Sequence, residues 1–122
     1  MGTLAGKRIL IVEDEFLIAE DLRRIIEGAG ATPIGPTLTE RAARILAGKE
    51  KIDAALLDVH LSDKTSEDVA LALKRRNVPF LIISGQPREL IPPAMRGGHF
   101  LQKPVVRDML LAALEMMSGA PR

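Results

Sequence analysis

The chain of 122 residues has no cysteine, no tryptophan and no tyrosine, and only three phenylalanines. The lack of cysteine excludes disulfide bonds, thiol catalysis and thiolate metal ligands. No apolar stretch reaches the roughly 18 residues that a membrane span needs. The first eight residues have no apolar run before their basic pair, so no signal peptide is expected. These absences together predict a soluble, cytoplasmic protein.

Neither positive nor negative charge is in clear excess. Lysine and arginine number 17 against 16 aspartates and glutamates, which gives a net charge of +1. Without a basic surplus, an electrostatic platform for nucleic acid is not expected. The composition is 47% hydrophobic and 27% charged, which is typical of a folded globular protein.

The length favours one domain over the whole chain, 1–122, with a core from about residue 7 to residue 117. Only residues 118–122 follow the last predicted helix. We therefore expect no DNA-binding or catalytic output domain in this chain.

Short aliphatic runs alternate with amphipathic stretches along the sequence. The runs at 9–12, 52–57 and 78–83 lack polar alternation, as expected for strands that are covered on both faces. Weaker strands are predicted at 33–36, near a sheet edge because of its prolines, and at 99–102. Five strands that alternate with helices predict an α/β fold with a parallel sheet between two helical layers.

The ends of the helices can also be anticipated. Thr37 and Glu40 have the spacing of a capping box for the second helix, and Thr65 is a reasonable N-cap for the third. Phe16 and Phe80 are expected in the core.

The segment 85–98 breaks the helical pattern. It contains three prolines and ends near a pair of glycines, and a proline inside a helix costs about 3 kcal/mol. The helix between the fourth and fifth strands should therefore be very short or missing.

Chemically capable residues stand at four of the five predicted strand ends. Glu13 and Asp14 follow the first strand, Asp58 the third, Ser84 the fourth and Lys103 the fifth. Sites in open parallel sheets lie beyond the carboxyl ends of the strands. Clustered carboxylates repel one another unless they hold a cation, and Mg²⁺ suits such a cluster. An ammonium and a hydroxyl beside that ion would accommodate phosphoryl oxygens, which indicates phosphoryl transfer to a carboxylate.

Each of these residues has a simpler explanation when it is taken alone. Acids before a helix favour its dipole, and Asp58 could merely cap a strand end. Ser84 is a common turn residue and Lys103 could be a surface charge. Their joint occurrence at the same edge of the predicted sheet favours a functional site.

The chain resembles the receiver domain of two-component response regulators over about residues 7–117. The matching features are Glu13-Asp14 after the first strand, Asp58 after 54–57, Ser84 after Ile82-Ile83, and Lys103-Pro104 after the fifth strand. The resemblance implies a flavodoxin-like, doubly wound sheet of strand order 2-1-3-4-5. Within the family, the chain is similar to stand-alone receivers in which the fourth helix is reduced to a loop.

By that resemblance, Asp58 accepts a phosphoryl group from a phosphohistidine on a sensor histidine kinase or a histidine phosphotransfer protein. Mg²⁺ would be held by Asp14, Asp58 and the backbone carbonyl of His60, with Glu13 acting through water. The chain would then be a signalling switch that catalyses only its own phosphorylation and dephosphorylation. Its output would be binding to a downstream protein, with no nucleic acid or membrane partner.

The resemblance also implies the parts of the switch. Lys103 would pair with the phosphoryl oxygens, the Ser84 hydroxyl would move to meet them, and Phe100 would rotate inward. The side chains of His60 and Gln86 would flank the path of the hydrolytic water and tune dephosphorylation. The segment 85–98 is expected to be the most mobile part and the surface that partners bind.

Three positions depart from the family pattern. Ser62 and Ser66 stand where the family usually has proline and glycine, so the loop from Asp58 to Ser66 is expected to be more mobile or differently shaped. Phe100 replaces the commoner tyrosine.

Two other functions are compatible with a fold of this class. A phosphatase with an aspartyl nucleophile would need a second aspartate two residues later, where this chain has His60. An adaptor that binds partners independently of phosphorylation would have the same fold, but it would not need the acidic pair, Asp58 and Lys103.

Overall fold

Five strands form one parallel sheet in the computed structural model, which describes residues 3–117. Their order is β2-β1-β3-β4-β5, which confirms the predicted topology. The strands are β1 (Arg8–Val12), β2 (Thr32–Thr37), β3 (Ala54–Asp58), β4 (Phe80–Ser84) and β5 (His99–Gln102). The terminal residues 118–122, on which the expected lack of an output domain depends, lie outside the described residues.

Four α-helices cover the two faces of the sheet. They are α1 (Phe16–Gly28), α2 (Glu40–Lys49), α3 (Glu67–Arg75) and α4 (Arg107–Met117). Successive side chains of a strand point to opposite faces, so each strand contributes to two cores. Leu10 and Leu57 pack on the side of α2 and α3, whereas Ile11 and Leu56 pack on the side of α1 and α4. This double burial explains why the inner strands have continuous aliphatic sequences.

The sheet edge formed by β2 accommodates its prolines. Gly35 has φ +97°, and a side chain there would place its Cβ 2.7 Å from the Thr37 nitrogen, so glycine is required. Near this glycine, the pairing register of β1 with β2 shifts between Leu10 and Val12. Thr37 then returns to the sheet, and its hydroxyl donates a hydrogen bond to the Ile11 carbonyl at 3.2 Å.

Two 3₁₀ helices replace the helix between β4 and β5, as predicted. They cover Arg88–Leu90 and Pro93–Met95. Ile91 and Met95 are buried, and the Lys74 ammonium donates to the Ala94 carbonyl at 2.6 Å, which attaches the segment to α3. The greater mobility expected of this segment stays a prediction.

Both predicted helix caps were wrong. Thr39 caps α2 by accepting from the Ala42 N–H at 3.2 Å, because Thr37 is still part of β2. Ser66, and not Thr65, precedes α3, because Thr65 pairs with His60 across the preceding loop.

The prediction that Phe16 lies in the core was also wrong. Phe16 is 67% exposed, whereas Phe80 is buried as predicted. Phe16 begins α1 one turn ahead of Ala19, the first buried residue of that helix, and the sheet does not cover it.

Within residues 3–117, none of the helices combines the length and the apolar character that crossing a bilayer would require.

Gly98→Ala should destabilise the fold by about 1–3 kcal/mol, because its Cβ would lie 2.6 Å from Cδ1 of the buried Phe80 ring. The neighbouring Gly97→Ala is a matched control, since its Cβ comes no closer than 3.5 Å to the flexible Lys74 side chain. The control should change the free energy of unfolding by less than about 0.5 kcal/mol. Urea unfolding followed by circular dichroism measures both variants, and equal stabilities would contradict this packing.

Candidate functional site

Three carboxylates and one ammonium meet at the carboxyl ends of the central strands. Glu13, Asp14 and Asp58 each offer a carboxylate oxygen, and these oxygens lie within 4.8 Å of one another. The Lys103 ammonium nitrogen lies 3.2 Å from Glu13 Oε1 and 3.5 Å from Asp58 Oδ1. The sheet therefore brings together the four charged residues that the sequence singled out.

Backbone contacts hold these residues at the end of the sheet. The N–H of Lys103 donates to the Ser84 carbonyl at 2.8 Å, which ties the chain after β5 to the end of β4. The N–H of Glu13 donates to the Thr37 carbonyl at 3.1 Å, and its Oε2 accepts from the Glu15 N–H at 3.1 Å. Glu13 is thereby fixed in a buried position, with 1% of its surface exposed.

Burial and the neighbouring negative charge together change the protonation of Asp58. Burial, followed by repulsion from Glu13, raises the pKa of Asp58 to about 7. Burial also works to lower the pKa of Lys103, but attraction to Asp58 and Glu13 outweighs it and the pKa of Lys103 is raised. In the part of the chain that the structure describes, one ammonium thus faces three carboxylates, and such a site readily gains either a proton or a cation.

The donor set fits a hard divalent cation. Glu13 Oε1 is buried and forms no hydrogen bond with any described residue, since the Lys103 contact is an ion pair without hydrogen-bond geometry. A buried carboxylate oxygen that accepts no hydrogen bond is costly, and a cation would reduce that cost. Oxygen ligands of this type suit Mg²⁺ or Ca²⁺.

The backbone carbonyl of His60 is free for such a cation. His60 pairs with Thr65 in an isolated antiparallel bridge, flanked by the hydrogen bonds Leu61 N–H to Lys64 O and Ser66 N–H to Val59 O. In this pattern the polar backbone groups of His60 point away from Thr65. Among residues 3–117, no donor binds the His60 carbonyl, and its role as a ligand stays a prediction.

Within residues 3–117, the side chains of the other expected switch residues form no hydrogen bond or ion pair with the charged cluster. The Ser84 hydroxyl is buried and accepts from the Gln86 N–H at 2.9 Å. Phe100 is half-buried against the core, with the Arg88 guanidinium 5.5 Å from its ring centre. The side chains of His60 and Gln86 are exposed, so the switching and tuning roles stay predictions.

Two residues of the loop after β3 have contacts that sequence reasoning missed. The Asp63 carboxylate accepts from the Glu40 N–H at 2.9 Å, and this bond lowers the pKa of Asp63. The Ser66 hydroxyl donates to the Asp58 carbonyl at 2.6 Å. The loop, expected to be more mobile or differently shaped, is tied to α2 and to the end of β3. No local pattern marks these contacts, because Asp63 and Glu40 are 23 residues apart.

Comparison with known proteins decides the family. No protein-family model matches the chain. The phyllosphere-induced regulator PhyR of Methylorubrum extorquens is 37% identical over 86 residues, which is 68% of this chain. The solution structure of SdrG from Sphingomonas melonis Fr1 is 37% identical, with a TM-score of 0.79 over 96% of this chain and 98% of SdrG.

A third similarity concerns the fold. A CheY-like response regulator receiver domain from Methanospirillum hungatei JF-1 has a TM-score of 0.79 and 23% identity, over 92% of this chain and 93% of its own. The chain belongs to the response regulator receiver family.

This receiver spans only part of some relatives. It covers 32% of the length of PhyR and 56% of a second curated regulator that it matches. What those longer proteins do as a whole does not transfer to this receiver by similarity alone.

In metal-free buffer at pH 8, Asp58→Asn should raise the free energy of unfolding by about 1–3 kcal/mol, allowing for solvent screening of a partly exposed group. The gain should shrink as the pH falls towards 4. With a raised pKa, Asp58 is protonated in the folded receiver while it is still ionised in the unfolded chain, so wild-type stability falls as the pH rises from about 4 to about 7.

Urea unfolding at several pH values in the presence of a chelator measures this difference. Asp21→Asn, on the exposed side of α1, is the control and should show no such pH dependence. A destabilised Asp58→Asn at pH 8 would contradict the account of charge crowding.

Proposed function

We propose that this receiver takes a phosphoryl group onto Asp58 from a phosphohistidine of a sensor histidine kinase or a histidine phosphotransfer protein. The observation that carries the proposal is the meeting of Glu13, Asp14, Asp58 and Lys103 at the strand ends. The likeness to PhyR and to SdrG supports a signalling role. The proposed chain is a phosphoprotein of a two-component pathway or phosphorelay, and such donors and Mg²⁺ fit a cytoplasmic location.

In the proposed transfer, an oxygen of the Asp58 carboxylate attacks the phosphorus of the donor. The new O–P bond forms as the P–N bond to the imidazole breaks, and the imidazole leaves with the electron pair and takes up a proton. Asp58 must be ionised to attack, and a cation held beside it would favour that ionised form against the repulsion from Glu13.

The residues present would hold Mg²⁺ through Asp14, Asp58 and the His60 carbonyl, with Glu13 acting through water. When bound, Mg²⁺ offsets the negative charge of the carboxylates and of the incoming phosphoryl oxygens. Lys103, 3.5 Å from Asp58 Oδ1, is placed to pair with one of those oxygens.

The phosphoryl group brings a charge of about −1.5 to −2 to the end of β3. We expect the Ser84 hydroxyl to leave the Gln86 N–H and bind a phosphoryl oxygen, and Phe100 to turn inward. The surface around segment 85–98, β5 and α4 then repacks and binds a downstream protein. His60 and Gln86 tune the return reaction, in which water removes the phosphoryl group.

Exposed apolar side chains follow the charged residues in the sequence and offer a contact surface to a donor protein. Phe16 and Leu17 are 67% and 77% exposed and begin α1 directly after the acidic residues. Val106, three residues after Lys103, is also exposed. Contact with these side chains would place a phosphohistidine over the cluster without burying further charge.

Incubation with Mg²⁺ and acetyl phosphate tests the proposal through intact mass. The wild-type chain should gain the mass of one phosphoryl group, because Asp58 is a carboxylate in contact with Lys103. Asp58→Ala should gain none, whereas Asp21→Ala, which removes an exposed carboxylate, should react like the wild type. Equal labelling of Asp58→Ala and wild type would refute the assignment of the acceptor.

Affinity for Mg²⁺ should depend on pH. A proton on Asp58 competes with the cation, so affinity should fall about five- to tenfold for each pH unit below about 7 and stay level above pH 8. Isothermal titration at pH 6, 7 and 8 measures it. Equal affinities at pH 6 and pH 8 would show that Asp58 is not a ligand that must lose a proton.

A further inference from the structure

Ser66 is fully buried although the residues just before it in the loop are exposed. Its exposed fraction is 0%, whereas Ser62, Asp63 and Lys64 are all exposed. The hydroxyl donates to the Asp58 carbonyl at 2.6 Å, and the Ser66 N–H donates to the Val59 carbonyl at 2.9 Å. One residue therefore binds two consecutive carbonyls, beginning with that of the proposed phosphoacceptor.

These two bonds fix the peptide planes that lead to His60. Peptide groups are planar, so the bond to the Asp58 carbonyl holds the Asp58–Val59 peptide and the bond to the Val59 carbonyl holds the Val59–His60 peptide. The His60 carbonyl belongs to the next peptide, whose Leu61 N–H donates to the Lys64 carbonyl, and the bridge leaves that carbonyl pointing away from Thr65. Ser66 thus holds the two peptides that lead up to His60, whose carbonyl is a proposed cation ligand.

Water cannot readily replace the hydroxyl. The Ser66 oxygen lies 3.8 Å from the sulfur of Met95, which is itself fully buried. Ser66 is itself fully buried, so bulk solvent does not reach the position of its hydroxyl. Removing the hydroxyl would leave the Asp58 carbonyl without its hydrogen bond.

The tip of the loop has its own attachment. Asp63 accepts from the Glu40 N–H of α2 at 2.9 Å, and the Leu61 N–H donates to the Lys64 carbonyl at 3.1 Å. Loss of the Ser66 hydroxyl should therefore alter the base of the loop while the rest of it stays in place.

We propose that Ser66 is a positioning residue for the cation site, acting through the carbonyls of Asp58 and Val59 on that of His60. The proposal rests on the function proposed above. It assigns a role to a hydroxyl that stands where the family usually has glycine, which offers an N–H and no side-chain donor.

Titration of Mg²⁺ at pH 8 into the full chain tests this. Ser66→Ala should bind Mg²⁺ about three- to tenfold more weakly than the wild type, the range that loss of one hydrogen bond produces. Ser62→Ala is the matched control from the same loop and should bind within about twofold of the wild type. Ser66→Thr keeps the hydroxyl, and the flexible Met95 can accommodate the added methyl group, so its affinity should be close to the wild-type value.

Kinetics separate positioning from a general structural role. With acetyl phosphate as the donor, Ser66→Ala should need more Mg²⁺ for half-maximal rate while its rate at saturating Mg²⁺ is retained. A lower saturating rate with an unchanged half-saturating concentration would overturn the proposal.

A folded Ser66→Ala with wild-type Mg²⁺ affinity would also overturn it. If Ser66→Ala does not fold, Ser66→Cys, whose thiol fills the space but donates weakly, should show the same loss of affinity. A wild-type chain that binds no Mg²⁺ would instead refute the proposed function, and this inference with it.

Discussion

Repulsion among like charges is the constraint on which this site depends. A parallel sheet whose order reverses beside β1 and β3 brings the ends of these strands together, and both strands end in acids. Glu13 is buried, Asp58 has a raised pKa, and among residues 3–117 the positive charge in contact with them is that of Lys103. The electrostatic energy of such a cluster changes strongly when a proton or a cation binds to it. A switch requires this kind of sensitivity.

Much of the fold follows from local patterns in the sequence. Aliphatic runs without polar alternation mark strands covered on both faces, and prolines 87, 92 and 93 prevent a full helix before β5. The charged site was predictable for a topological reason, since the carboxyl ends of parallel strands share one edge. That rule predicts that Asp14, Asp58 and Lys103 lie close together although they are far apart in the chain.

The missed features depend on contacts between distant segments. Thr37 and Thr39 both suit an N-cap, and only the path of β2 decides between them. Phe16 has the spacing of a core residue but lies beyond the part of α1 that the sheet covers. The bonds of Ser66 and Asp63 depend on how the loop folds over β3 and α2, which no spacing in the sequence encodes.

Residue-resolved NMR during addition of Mg²⁺ tests most directly whether these groups act as one site. Saturable shifts should concentrate in the amides of Glu13 to Glu15, Asp58 to Leu61 and Lys103, and they should weaken sharply in Asp58→Asn. Shifts that do not saturate, or that spread to acidic residues elsewhere in both the wild type and Asp58→Asn, would show that the carboxylates do not share a cation.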